Sequence, residues 1–267
     1  METKQELREK LKEIERWEQD QKDLWFWEKI GRLPFILLDK ATPKFIHKKI
    51  GEVIEEIGNF ISNGGKYLVD ERQVIQKYFK NNNFITLDDV AAGELELMDN
   101  ASSRLKESSS RIAMVQGGTT GIGGFFTLAI DIPIMLGLTL KSIQEIAVCY
   151  GYNPHEQNER IFILKCLQFT SADIVGKNAI LDEIGQFDAD QNQDQMVSQL
   201  QGWSEVLQTY RDQFGWKKLF QMIPIIGVIF GAYTNKSIMD DTAEVAIMLY
   251  RKRRILDRLN YWEDRKI

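Results

Sequence analysis

A chain of 267 residues with 43% hydrophobic and 27% charged side chains has a globular composition and enough length to bury a sizeable core. A formal net charge of −5 excludes a general nucleic-acid-binding surface, which needs a basic face or stripe. The acidic excess lies in residues 1–200; residues 201–267 carry 11 basic and 8 acidic side chains, so the C-terminal helix is the expected face for an anionic partner.

Five prolines and almost no period-two alternation predict an all-α, multi-helix globular domain. METKQELREKLKEIERWEQD is densely charged and lacks the apolar centre of a secretory signal. Within it, Leu7, Leu11, Ile14 and Trp17 recur at helical spacing and predict an amphipathic first helix. The consecutive Trp25, Phe26 and Trp27 that follow fit either a core cluster or an interfacial anchor, with Lys29 and Arg32 reaching outward.

Pro43 opens a second helix through Phe60, and Asn63-Gly64-Gly65 stops it. A third helix ends near Phe79, and residues 81–84 form a loop. Thr86 with Asp88 and Asp89 reads as an N-cap with an acidic first turn, opening a helix that continues to a glycine cluster.

That cluster belongs to the most unusual stretch of the chain. Residues 112–140 are bounded by Arg111 and Lys141 and hold one ionisable side chain, Asp131. The length would admit a membrane span. Gly117, Gly118, Gly121, Gly123 and Gly124, with Asp131 and Pro133, predict instead a broken, tightly packed, Gly-rich apolar hairpin of helices at the centre of the domain. Gly227 and Gly231 repeat the small-residue spacing in a second apolar stretch, 219–235, expected to pack on the first. Asp131 reads as the cap of a helix starting near Pro133, or as a buried acid or polar contact in a ligand pocket.

The helix after Pro133 ends at Gly151, and Asn153-Pro154 starts the next. Cys149 and Cys166, both in apolar helical contexts, read as small buried hydrophobes in a reducing compartment. Residues 187–195 read as a loop or a frayed helix start, a helix runs from Met196 to Phe214, and the last helix spans about Ile238 to Trp262. That last helix carries Arg251, Lys252, Arg253 and Arg254, which with Lys217 and Lys218 form the basic region. The run is a solvated helix face or a contact for anionic lipid headgroups at roughly 1 kcal/mol each.

Catalytic and cofactor patterns fail on their spacing. VQGGTTGIGG lacks the flanking βαβ unit of a nucleotide fold and the lysine of a phosphate loop. Residues 188–199 lack the glycine and the final glutamate of a calcium loop. His47 and His155 are isolated, so no metal and no cofactor is expected, and no serine-nucleophile elbow exists.

GGTTGIGG leading into LAIDIP, then SIQEIAVCYGYNP, then IPIIGVIFGAYTN before a helix ending in LYRKR, resemble the EcsC family, with TPKFIHKKI similar to its early helix. The resemblance covers about 40–255 and divides the chain into an N-terminal segment, 1–40, and an EcsC-like all-α domain, 41–267. It implies a bacterial protein of a family named for one encoded beside an ABC transporter, and no catalytic residues carry over. It also implies one structural or binding centre at Gly117–Gly124, Asp131, Pro133, Gly227, Gly231 and Asn235.

The expected function is therefore non-enzymatic. The chain is read as a cytoplasmic protein peripheral to the inner face of the cell membrane, binding lipid or acyl chains or assisting a transporter. Trp25, Phe26, Trp27, Lys217, Lys218 and Arg251–Arg254 are expected to face anionic lipid. The rivals are a lipid-acting enzyme with Asp131 as its acid or base, and a purely structural interaction protein.

Overall fold

The computed structural model describes residues 2–22, 55–65, 68–80, 82, 84–120, 125–171, 177, 180–181, 184 and 232–264. Among them are α1 (Lys4–Lys22), α2 (Glu71–Tyr78), α3 (Leu87–Ala92), α4 (Leu95–Thr120), α5 (Phe125–Cys149), α6 (Gln157–Ser171) and α7 (Ala232–Asp264), with 55–63 also helical and no strand. The all-α expectation holds. The Trp25-Phe26-Trp27 cluster, Gly121, Gly123, Gly124, the 187–195 loop, the Met196–Phe214 helix, Lys217, Lys218, Gly227 and Gly231 lie outside the described residues.

α7 is the axis of the bundle, packing against α1, α4, α5 and α6. Three pairs set its direction: Asp99 with Arg251, Lys106 with Glu244, and Ser110 with Asp240. As numbers rise on α4 they fall on α7 at the same step, so the two helices run antiparallel in constant register. α5 also returns against α4, since Tyr150 at its end donates to Asp99 near the start of α4 at 2.8 Å. The core between them is built from Leu105, Ala113, Leu136, Leu140, Ile143, Ala243, Ala246 and Leu249, all fully buried. α1 lays the predicted stripe on this core: Leu7 and Ile14 are fully buried, with Leu11 and Trp17 packed beside them.

Local punctuation follows the sequence closely. Gly64 and Gly65 take φ of 81° and 52° at the end of 55–63, in the left-handed region that glycine enters without a Cβ penalty. Arg160 of α6 reaches across to the last carbonyls of that helix, Ile61 O at 3.0 Å and Ser62 O at 3.2 Å. Thr86 and Asp89 close a capping box, each side chain accepting the other's backbone N–H at 3.2 and 2.8 Å. Thr86→Ala should lower stability by about 1 kcal/mol and Thr86→Ser by far less, as read by chemical denaturation.

Besides α7, which starts at Ala232 rather than Ile238, two boundaries differ from expectation. The helix opened by Thr86 does not run on to the glycines but breaks at Gly93, where ψ is 170°. Tertiary partners replace the missing intrahelical bonds. The Arg258 guanidinium donates to Ala91 O (3.1 Å) and Gly93 O (2.5 Å), and the Glu2 carboxylate accepts the Leu95 N–H at the head of α4. The second difference concerns Asp131. α5 starts at Phe125 and runs through Asp131 and Pro133 without a boundary, so Asp131 sits in the helix interior and is not a cap. The apolar turn Phe125–Ile130 starts the helix ahead of the proline, which then removes only the one bond its own N–H would have made to Ala129.

Candidate functional site

The antiparallel packing sorts the chain's chemistry into two poles. At one end lie the start of α4, the end of α5, the start of α6 and the C-terminal half of α7, and here polar side chains interlock. Glu159, almost fully buried, pairs with the Arg253 Nη1 at 2.8 Å and accepts from the Tyr250 hydroxyl. Burial raises the Glu159 carboxyl, against the opposing pull of Arg253 and the Tyr250 hydrogen bond. Arg253 lies over the rings of Tyr152 and Phe162, 4.2 and 4.9 Å from their centres. Arg254 donates to Tyr150 O from Nε (2.9 Å) and Nη2 (2.6 Å), placing a cation on the last carbonyls of α5. Asp99 accepts from Tyr150 and pairs with Arg251 at 3.2 Å; burial raises its carboxyl, and Arg251 and Tyr150 oppose that.

α1 completes the pole from outside. Glu2 pairs with Arg258, Glu13 with Arg251 at 3.3 Å, Glu18 with Lys252 at 2.7 Å, and the Trp17 indole donates to Glu244 at 3.2 Å. The run Arg251–Arg254 is thus not the membrane-facing patch expected from its sequence. All four side chains are between 12% and 21% exposed, each with an acidic side chain beside it. Their partners come from α1, α4, α6 and, for Arg254, Asp257 on α7 itself, so most of the neutralising charge is distant in sequence.

The Cys149 and Cys166 thiols are buried and their pKa is pushed well up by burial, which suppresses the thiolate. The Tyr250 and Tyr150 hydroxyls are likewise pushed up by burial. Among the described residues, no three His, Cys, Asp or Glu side chains stand together as a metal site.

The opposite pole gathers the end of α4, the start of α5 and the start of α7. Topology therefore brings Gly117 and Gly118, then Asp131 and Pro133, and Asn235 to one end of the bundle. Of these, Gly117 and Asn235 are buried. α4 changes character on the way there. Its inner face is continuous through Met98, Ser102, Leu105, Ser110, Ala113 and Gly117. Its outer face carries Glu96, Asn100, Ser103, Arg104, Glu107 and Arg111, and then turns apolar: Ile112, Met114 and Val115 are 51%, 44% and 64% exposed. Across the antiparallel pair, Ile134 of α5 stands near the same level and is 41% exposed. Asn235 was legible only as part of a motif; the outward turn of Ile112, Met114 and Val115 needed the packed bundle to show which side of α4 is covered.

A model of the EcsC protein family matches residues 8–255. The chain belongs to that family. The EcsC match begins within α1, whose Leu7 and Ile14 are part of the same core as α4 and α7. Two relatives come from Bacillus subtilis (strain 168). The uncharacterized protein YdbA is 52% identical over 265 residues, covering 98% of this chain and 97% of its own length. Protein EcsC is 24% identical over 227 residues, covering 83% and 91%. No solved structure matches the chain. No helix of this EcsC-family chain is, among the described residues, long and apolar enough to cross a membrane.

Proposed function

We propose that the protein is a non-enzymatic, peripheral lipid-binding protein that meets a membrane with the apolar pole of α4 and α5. The observation that carries this reading is the outer face of α4. Polar side chains occupy it for four turns, and apolar ones replace them past Arg111, where water would favour the reverse. A helix end that enters the acyl region of a lipid layer has this pattern. The stretch 112–140, with Asp131 as its single ionisable residue, supplies the same preference along the sequence. Assistance to a membrane transporter, which the family resemblance implies, would be given from the same position.

With Arg251–Arg254 engaged inside the fold, attachment rests on apolar contact more than on anionic headgroups. The expected result is partition onto phosphatidylcholine vesicles as well as onto phosphatidylglycerol vesicles, with weak salt dependence. Val115→Asp combined with Met114→Asp should lower that partition at least tenfold, because burying each such side chain stabilises by roughly 1.5–3 kcal/mol. Both positions are exposed, so the melting temperature should stay near the parent's. Vesicle flotation that is unchanged in the double variant would sink the proposal.

A further inference from the structure

Among the described residues, ion pairs between positions four apart stand on three helices. Glu107 pairs with Arg111 on α4 at 3.3 Å, Lys141 with Glu145 on α5 at 3.8 Å, and Lys236 with Asp240 on α7. α5 and α7 run antiparallel to α4, and the order of charge along the chain is reversed on them. In all three pairs the cation is therefore the member nearer the apolar pole. Helix electrostatics does not produce this pattern, because it favours the acid on the N-terminal side, as on α4, and disfavours the order on α5 and α7. What the pairs share is a direction in space.

The cations are also exposed, with side chains 77%, 60% and 44% accessible for Arg111, Lys141 and Lys236. On α4, Arg111 stands one turn before the exposed Val115; on α5, Lys141 stands two turns after the exposed Ile134. The α4–α7 register puts Lys236 level with Met114, and the Tyr150–Asp99 contact puts Lys141 near the level of residue 108. The three cations thus spread over roughly 9 Å along the bundle at 1.5 Å per residue. The headgroup layer beside a bilayer core is about 5–8 Å thick, and long basic side chains reach toward it. Other charges lie farther back than Arg111: Lys106 with Glu244, and Asp241, which Lys106 and Lys177 oppose. Nearer the tip, α4, α5 and α7 hold one Asp, Glu, Lys or Arg, which is Asp131.

Resting on the lipid-binding reading above, we propose that Arg111, Lys141 and Lys236 are the phosphate contacts of the docked protein, which recognises the phosphodiester of a phospholipid rather than the net charge of its headgroup. Arg111 offers a planar fork to the phosphate oxygens, and each lysine offers a point charge. A carboxylate one turn behind balances each cation, so the pairs attract little at long range and act on contact. Weak salt dependence follows from the same balance.

The test compares the full chain on vesicles of phosphatidylcholine and of digalactosyldiacylglycerol with matched acyl chains. Both lipids are neutral overall, and only the first holds phosphate. The parent should partition about tenfold more strongly onto phosphatidylcholine. Arg111→Gln with Lys141→Gln and Lys236→Gln should lose that preference while keeping partition onto the galactolipid. Glu107→Arg with Arg111→Glu keeps the net charge and the pair and reverses only its direction. Both positions are exposed, so this variant should melt with the parent and show a several-fold weaker preference. Equal partition of the parent onto both vesicles would overturn the proposal, as would a preference that survives the triple substitution or a reversed pair as selective as the parent. Partition without preference removes these contacts and keeps the membrane reading; no partition onto either vesicle removes both.

Discussion

Glu159→Ala should destabilise the protein by about 3–5 kcal/mol, the range found when one partner of a buried ion pair is removed. The carboxylate is almost fully buried and serves both Arg253 and Tyr250. Its loss leaves a largely buried guanidinium and a buried phenol without their acceptor. The cations of this region are packed against rings, so Arg253 cannot turn out to water without uncovering Tyr152 and Phe162. Replacing the set together, Glu159→Leu with Arg253→Met and Tyr250→Phe, should recover most of the loss, because no unpaired polar group is then buried. The pH dependence has a definite sign. Burial raises the folded-state carboxyl above its unfolded value, so the folded state holds its proton longer. The Glu159 contribution is greatest below the ordinary glutamate range and falls as pH rises through the raised value. Urea titrations across that window should show this slope in the parent and lose it in Glu159→Gln. A cost below about 1 kcal/mol for Glu159→Ala would mean that the pair is solvated.

Gly151→Ala should cost about 3 kcal/mol, which for a chain of this size lowers the melting temperature by roughly 6–12 °C. Two causes add. Gly151 ends α5 with φ at 78°, a left-handed conformation, and the turn is locked by Tyr152 N to Ala147 O and Gly151 N to Val148 O, both 2.9 Å. A Cβ placed there would also stand 2.8 Å from the backbone nitrogen and the Cβ of Ala91. α3 cannot simply withdraw, because Arg258 holds Ala91 O and Gly93 O. Gly58→Ala is the control. That glycine is helical with nothing within 4 Å of the added Cβ, so the change should be neutral or stabilising by up to about 1 kcal/mol. A melting temperature for Gly151→Ala equal to the control's would remove the close approach of α3 and α5.

Features that depend on neighbours in sequence were legible from sequence. The stripe Leu7, Leu11, Ile14, Trp17, the Thr86 N-cap, the Gly64 and Gly151 terminations and the two buried cysteines all follow from local periodicity or local backbone chemistry. Features set by distant partners were not. The break at Gly93 depends on Glu2 and Arg258, and the inward turn of Arg251–Arg254 depends on Glu13, Glu18, Asp99 and Glu159. Asp131 shows a different limit. A carboxylate two places before proline is a sound cap pattern, but Phe125–Ile130 is apolar enough to carry the helix past it. Of the centre suggested by the family motifs, topology brings the described members to one pole, where the Asn235 carboxamide is buried without a hydrogen-bond partner.

The strapping of α1 onto α7 also sets a timetable for synthesis. Trp17 and Glu244 are separated by 227 positions, and Glu2 and Arg258 by 256. α1 leaves the ribosome long before α7 has been made, and until then the part of its docking surface that α7 supplies is missing. Contacts of such separation also slow the final closure once the chain is released. The helix made early is therefore among the last to be secured. Its high charge, set around Leu7 and Ile14, would keep a waiting segment dissolved until α7 arrives.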